Sequence, residues 1–285
     1  MKNRMGSLAL LAALVAAAPM SAQNVTVTSP TVKTVSGAEQ NDAFAYDTWL
    51  RNNVRDGSSV GVNGTYAHDG NGSAFMQGLI ANTSKADMEY YFGGGYIAPF
   101  TLGNLTSLTY DYYRDAVSTA PNWLAPSMRL YIDGDGDLST TADRGYLVFE
   151  PVYNDGSAAI PTDSWQVGSI TTATTLWFNR DGTTFRTLGQ FDAGFTDAGI
   201  FISSKSVVLG LSSGIGSGWD GTFTGAIDDV DVAYTDASAG HHDVNFNFET
   251  ASTTSTPEPA SIVLLATGFA GIGGVAVKRR RKNPA

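Results

Sequence analysis

Residues 221–234 read GTFTGAIDDVDVAY, and the spacing of their apolar positions decides the fold. Ile227, Val230, Val232 and Tyr234 cannot all lie on one face of a regular strand, because side chains alternate with a period of two and the step from Ile227 to Val230 is odd. One extra residue at Asp228-Asp229, a β-bulge, restores the register and puts all four on a single apolar face. The same spacing leaves Asp229 and Asp231 together on the solvated side. Short β-branched and aromatic runs recur along the chain: SLTYDYYR at 107–114, MRLYI at 128–132, YLVFEPVY at 146–153, TTLWF at 174–178, SVVLGL at 206–211 and DVNFNFE at 243–249. Clusters of Gly, Asn, Asp and Ser separate them, and no apolar period of 3.6 is sustained between Val25 and Phe248. This pattern, in a chain with 32 glycines, predicts one all-β antiparallel sandwich over residues 23–250. Helix is expected only as a turn or two, around Asn82 to Met88.

The two ends differ from this middle. Lys2 and Arg4 precede an apolar run from Leu8 to Ala18, and Pro19-Met20-Ser21-Ala22 follows, which is the order of a secretory signal peptide over residues 1–22. Residues 251–259 form a polar, proline-containing linker, and residues 260–277 are 18 uncharged positions, just enough for a single transmembrane helix. Lys278, Arg279, Arg280, Arg281 and Lys282 follow directly as a cationic stop in the 278–285 tail, which places that tail on the cytoplasmic side and the domain outside. Ala266, Ala270 and Gly274 add a row of small residues within the span. Between the two ends the domain carries 10 basic and 26 acidic residues, a balance of −16 that repels nucleic acid and excludes it as a partner. Cysteine is absent, so disulfides, thiolate metal sites and cysteine nucleophiles are excluded too.

Pro257-Glu258-Pro259, an apolar helix and an arginine cluster, in that order, resemble the PEP-CTERM sorting signal of exopolysaccharide-producing Gram-negative bacteria. The resemblance covers only the C-terminal stretch from Thr256 onward. It implies an exosortase as partner, a membrane peptidase that cuts near the motif and releases or transfers the protein to the envelope or matrix. Without processing, the same residues describe a permanent single-span membrane anchor. The segment GAIDDVDVAY is similar to the last strand of jelly-roll and concanavalin A-like sandwiches. That second resemblance implies a jelly-roll-like form of the sandwich.

The densest group of candidate ligands is IDGDGDLSTTAD, residues 132–143. Asp133, Asp135 and Asp137 stand at alternate positions, with Gly134 and Gly136 free to aim them at one centre and Asp143 able to close it. The run resembles the front half of an EF-hand loop and departs from it at Leu138, where the turn glycine belongs, and at Arg144, where the bidentate glutamate belongs. A structural Ca2+ and a plain solvated Asp-Gly turn are both compatible with it. Asp228, Asp229 and Asp231 form a second acidic group. Of the five tryptophans, Trp165 and Trp177 lie in strand-like runs and are expected in the core, whereas Trp219 in a glycine-rich loop is the candidate for stacking on a sugar, ahead of Trp49 and Trp123. His68, His241 and His242 are expected in turns.

Two functions follow. One is a non-catalytic envelope or extracellular-matrix protein that binds polysaccharide. The other is a secreted glycan-active hydrolase, which needs a carboxylate pair in a cleft, with Glu89, Glu150 and Asp111 available.

Overall fold

A computed structural model describes residues 22–156, 158–180, 182 and 184–251. The expected signal peptide, the Pro257-Glu258-Pro259 motif, the span and the basic tail lie outside these residues, apart from the last residue of the first and the first residue of the linker. Among the described residues no helix is long and apolar enough to cross a membrane.

The described chain is all-β, built as two curled eight-stranded sheets. The first runs in the order Gln23–Val27, His241–Phe248, Phe223–Thr235, Ser73–Gly78, Ser58–Asn63, Lys33–Val35, with Leu105–Arg114 also beside Phe223–Thr235 and Trp165–Ile170 beside that. The second runs Phe185–Thr187, Thr175–Phe178, Arg144–Phe149, Ser127–Asp133, Val207–Ile215, Lys85–Tyr91, Trp49–Arg55, with the short Phe100–Thr101 against Val207–Ile215. Their inner faces meet in one apolar core. Trp49 of the second sheet packs against Phe246 and Phe248 of the first, at ring distances of 5.6 and 5.1 Å, and Tyr110 meets Phe149 at 6.1 Å. Each such fully buried aromatic contributes about 1.5–3 kcal/mol of burial free energy.

The strand Phe223–Thr235 organises the first sheet. Its front half pairs with Ser73–Gly78 and its back half with His241–Phe248, both on the same side, so it changes neighbour midway. The change occurs at the expected bulge. Asp228 pairs with Asp111, Asp231 with Thr109, and Asp229 takes a left-handed φ of 47° between them. Ile227, Val230 and Val232 are completely buried and Tyr234 nearly so. Where the bulge breaks the ladder, the Asp228 carboxylate replaces it: Oδ1 accepts from the backbone N–H of Phe248 at 2.8 Å and of Asp229 at 2.9 Å.

Four expectations are corrected. Lys85–Tyr91 is a strand and not a helical turn, because Ala86, Met88 and Tyr90 alternate into the core while Asp87, Glu89 and Tyr91 point to the opposite face of the sheet, where Asp87 and Glu89 are buried by neighbouring side chains. The single α-helix among the described residues is Leu188–Asp192, fixed by a Thr187–Gln190 capping box. GAIDDVDVAY is not the last strand, since the chain returns once more as His241–Phe248, so His241 and His242 start a strand instead of sitting in a turn. Trp165 and Trp177 are not core residues: Leu176 and Phe178 take the buried positions of their strand and turn Trp177 outward, and the buried tryptophan is Trp49.

Candidate functional site

The outward face of the second sheet carries a cleft of about 370 Å³. Strand register builds it. Across the sheet, Glu89 lies beside Ser212, Ser212 beside Arg129, Arg129 beside Val148 and Val148 beside Trp177. The neighbouring row runs Tyr91, Gly210, Tyr131, Tyr146, and the next Asp87, Gly214, Ser127. In these three rows the middle strand therefore presents Gly210, Ser212 and Gly214. These small residues make room for the larger side chains that lie over them: a Cβ at Gly214 would collide with the Asp87 carboxylate, which with Glu89 and Arg129 forms the cleft floor.

The acidic groups of the floor are held by the protein itself. Asp87 Oδ1 accepts from Arg129 at 2.7 Å, and Oδ2 accepts from Asn53 at 2.7 Å with Lys85 at 3.3 Å. Glu89 Oε2 accepts from Asn52 at 2.6 Å and Tyr91 at 2.5 Å, while Oε1 accepts from Tyr146 and Ser212, each at 3.3 Å. Such a carboxylate has used its lone-pair directions. Burial and Glu89 push the Tyr91 and Tyr146 hydroxyls up, so both stay protonated as donors. Burial works against the Arg129 charge, and Asp87 and Glu89 more than restore it.

The walls differ. Trp177 stands at one end, its Nε1 donating to Glu150 Oε2 at 3.0 Å, and burial raises the Glu150 carboxyl above its ordinary value despite that bond and the nearby Arg129. Trp219, with Gly216 and Ser217, forms another wall. Its ring is half-buried and edge-on to Phe223 at 5.1 Å, and the loop is tied to Asn82 by backbone hydrogen bonds in both directions. Trp219, the sequence candidate for stacking on a sugar, lines this cleft. Trp177, Tyr146, Asp87 and Arg129 were missed, although the alternation D-M-E-Y at 87–90 and R-L-Y at 129–131 carries the signal. Trp123 is exposed and outside the cleft lining, and Asp111 lies on the other sheet, away from Glu89 and Glu150.

The acidic loop is partly assembled. Asp133, Asp135 and Asp143 each bring an oxygen within 4.8 Å of the others. Asp137 does not join them, because its Oδ1 accepts from the N–H and hydroxyl of Ser139. Asp133 is fully buried, with Oδ2 accepting from Arg144 at 2.9 Å and Oδ1 without a hydrogen-bond partner among the described residues. That orphaned oxygen is what a hard cation would satisfy.

No protein-family model and no curated protein matches the chain. Among solved structures, a family 11 carbohydrate-binding module from Clostridium thermocellum, in complex with a β-1,3-1,4-mixed-linked tetrasaccharide, is similar at 10% identity over 72% of this chain and 96% of that one, with a TM-score of 0.36.

Proposed function

We propose that this chain is an exported, non-catalytic envelope or matrix protein, sorted by its Pro257-Glu258-Pro259 signal, whose jelly-roll-like domain binds a polysaccharide in the Trp177–Trp219 cleft. The observation that carries this reading is the contrast within the cleft: two half-exposed indoles form its walls, while the floor acids are saturated by protein donors. Indole faces stack on the apolar faces of sugar rings, and Arg129, Glu150 and Ser217 offer polar contacts between them. The domain charge of −16 favours a neutral polysaccharide over an acidic one, unless Ca2+ bridges the two. Affinity electrophoresis in gels containing neutral β-glucans tests the reading. Trp177→Ala and Trp219→Ala should each weaken retardation by about fivefold or more, as loss of about 1 kcal/mol of stacking requires; equal retardation of both variants would remove the cleft as the binding site.

A hydrolase remains the second reading, favoured by one observation, the raised Glu150 carboxyl in the same cleft as Glu89. Against it stands Glu89, whose oxygens are already occupied and ill-suited to attack or to activate water. Reducing-sugar release that disappears in Glu150→Gln would establish the hydrolase. For the acidic loop we propose a weak structural Ca2+ held by Asp133, Asp135 and Asp143 without Asp137. A rise in Tm with millimolar Ca2+ that is lost in Asp143→Asn is the expected result. Sorting is checked by intact mass: a mature chain ending near Pro257 supports exosortase processing, and an uncut chain supports the anchor.

A further inference from the structure

The outward face of the first sheet holds a second cluster, unrelated to the cleft. The loop at 64–72 folds over this face and lays His68 on Trp165, the two rings stacked at 4.4 Å and 19°. His68 Nε2 lies 2.6 Å from Asp111 Oδ2 and 3.9 Å from Asp229 Oδ2. The bulge is what brings Asp229 here, since it adds one residue to the strand and turns the side chain to the side of Asp111. Asp228 lies directly across from Asp111 in register, is completely buried, and leaves Oδ2 without a hydrogen-bond partner among the described residues. Asp69 adds a further carboxylate beside Asp229.

This arrangement is electrostatically unbalanced. Like charges directly opposite one another in a sheet destabilise it. Among the described residues no lysine or arginine forms an ion pair with Asp69, Asp111, Asp228 or Asp229, and the basic side chain that meets Asp111 and Asp229 is the His68 imidazole. One imidazole and two carboxylates converging from a loop and two strands are a mixed N/O donor set, which suits a transition cation better than Ca2+. The geometry is close to what such an ion needs. Ligands at about 2.0–2.2 Å around a tetrahedral zinc lie about 3.4 Å from each other. The observed 2.6 and 3.9 Å lie on either side of that value, so a small opening of the His68–Asp111 contact and a small closing toward Asp229 suffice. The three side chains remain about a quarter exposed, which leaves an entry path and room for water as a fourth ligand.

We propose that His68, Asp111 and Asp229 form a binding site for a divalent transition cation of the zinc type, backed by the buried Asp228 carboxylate. Occupancy pins the 64–72 loop to the sheet beside the aromatic row of Trp165, Tyr113 and Tyr66, whose successive ring distances are 5.5 and 4.6 Å. The site is independent of the glycan reading, since its residues lie on the other sheet.

The test is titration of the metal-free chain with Zn2+ in saturating Ca2+, followed by calorimetry, with Co2+ absorption as a spectroscopic reporter. Expected are one zinc per chain and a tetrahedral Co2+ band, both weakened by at least about tenfold in His68→Ala and in Asp111→Asn, and unchanged in Asp143→Asn. Asp229→Asn serves as a further ligand variant if either of the first two fails to fold, as judged by circular dichroism. Absence of stoichiometric zinc binding by the unaltered chain overturns the proposal, and so does zinc binding that survives in the folded ligand variants.

Discussion

On the outward face of one sheet, Asp87 and Glu89 are met by Arg129, Lys85, Asn52, Asn53, Ser212, Tyr91 and Tyr146. On the outward face of the other, Asp111 and Asp229 share His68, and Asp228 behind them keeps an unpaired oxygen. Both faces are acidic, yet only the first is internally neutralised. The difference underlies the two proposals, an uncharged ligand for the first face and a cation for the second. A floor whose charges are already paired leaves stacking walls and a few polar tips for an uncharged ligand, whereas unpaired carboxylates around an imidazole call for a cation.

Removing the principal basic side chain from each face gives the sharpest contrast. Arg129→Met leaves Asp87, which is 1% exposed, with Lys85 as its remaining ion-pair partner and no donor on Oδ1, and should lower the unfolding free energy by about 3 kcal/mol in urea melts. A loss below about 1 kcal/mol would mean that the floor acids are not held as described. Asp228→Ala leaves two backbone N–H groups at the bulge without acceptors, so about 2 kcal/mol should be lost, with Asp228→Asn retaining most of it. His68→Ala, in the absence of metal, removes only a partly exposed ion pair and a ring stack and should change stability by about 1 kcal/mol or less. An equal loss at Arg129 and His68 would erase the distinction between the two faces.

The smallest effect is a slope. Burial raises the Glu150 carboxyl in the folded state, so folded protein holds this proton more tightly than unfolded. The associated stability is complete below the ordinary glutamate range and is lost as pH rises through the higher folded value. Glu150→Gln should flatten this part of the stability profile, measured as Tm from about pH 4 upward. No change in slope would mean that Glu150 is well solvated in the cleft.

Much of the fold was legible because it is written in neighbouring residues. The interval from Ile227 to Val230 required a bulge at Asp228-Asp229, and the structure has it there. The cleft was harder to read. In T-L-W-F at 175–178 three apolar side chains stand in a row, and alternation cannot say whether Leu176 and Phe178 or Trp177 face inward. In K-A-D-M-E-Y-Y at 85–91 the apolar and polar positions alternate, yet a helical turn was expected around Asn82 to Met88; the structure has a turn at 81–83 and then the strand. His68 and Asp111 are 43 positions apart, and no local rule joins them.

By itself, the amino-acid order determined the strand-rich composition, the bulge, the absence of thiol and disulfide chemistry and the strongly negative domain, because these depend on side-chain alternation, residue content and simple charge. Which strands lie side by side was decided only in three dimensions. The row from Glu89 through Ser212 and Arg129 to Trp177, and the convergence of His68 with Asp111 and Asp229, come from pairings between distant segments. Those pairings are selected by the sum of many weak contacts across the whole core, which no short window of sequence contains.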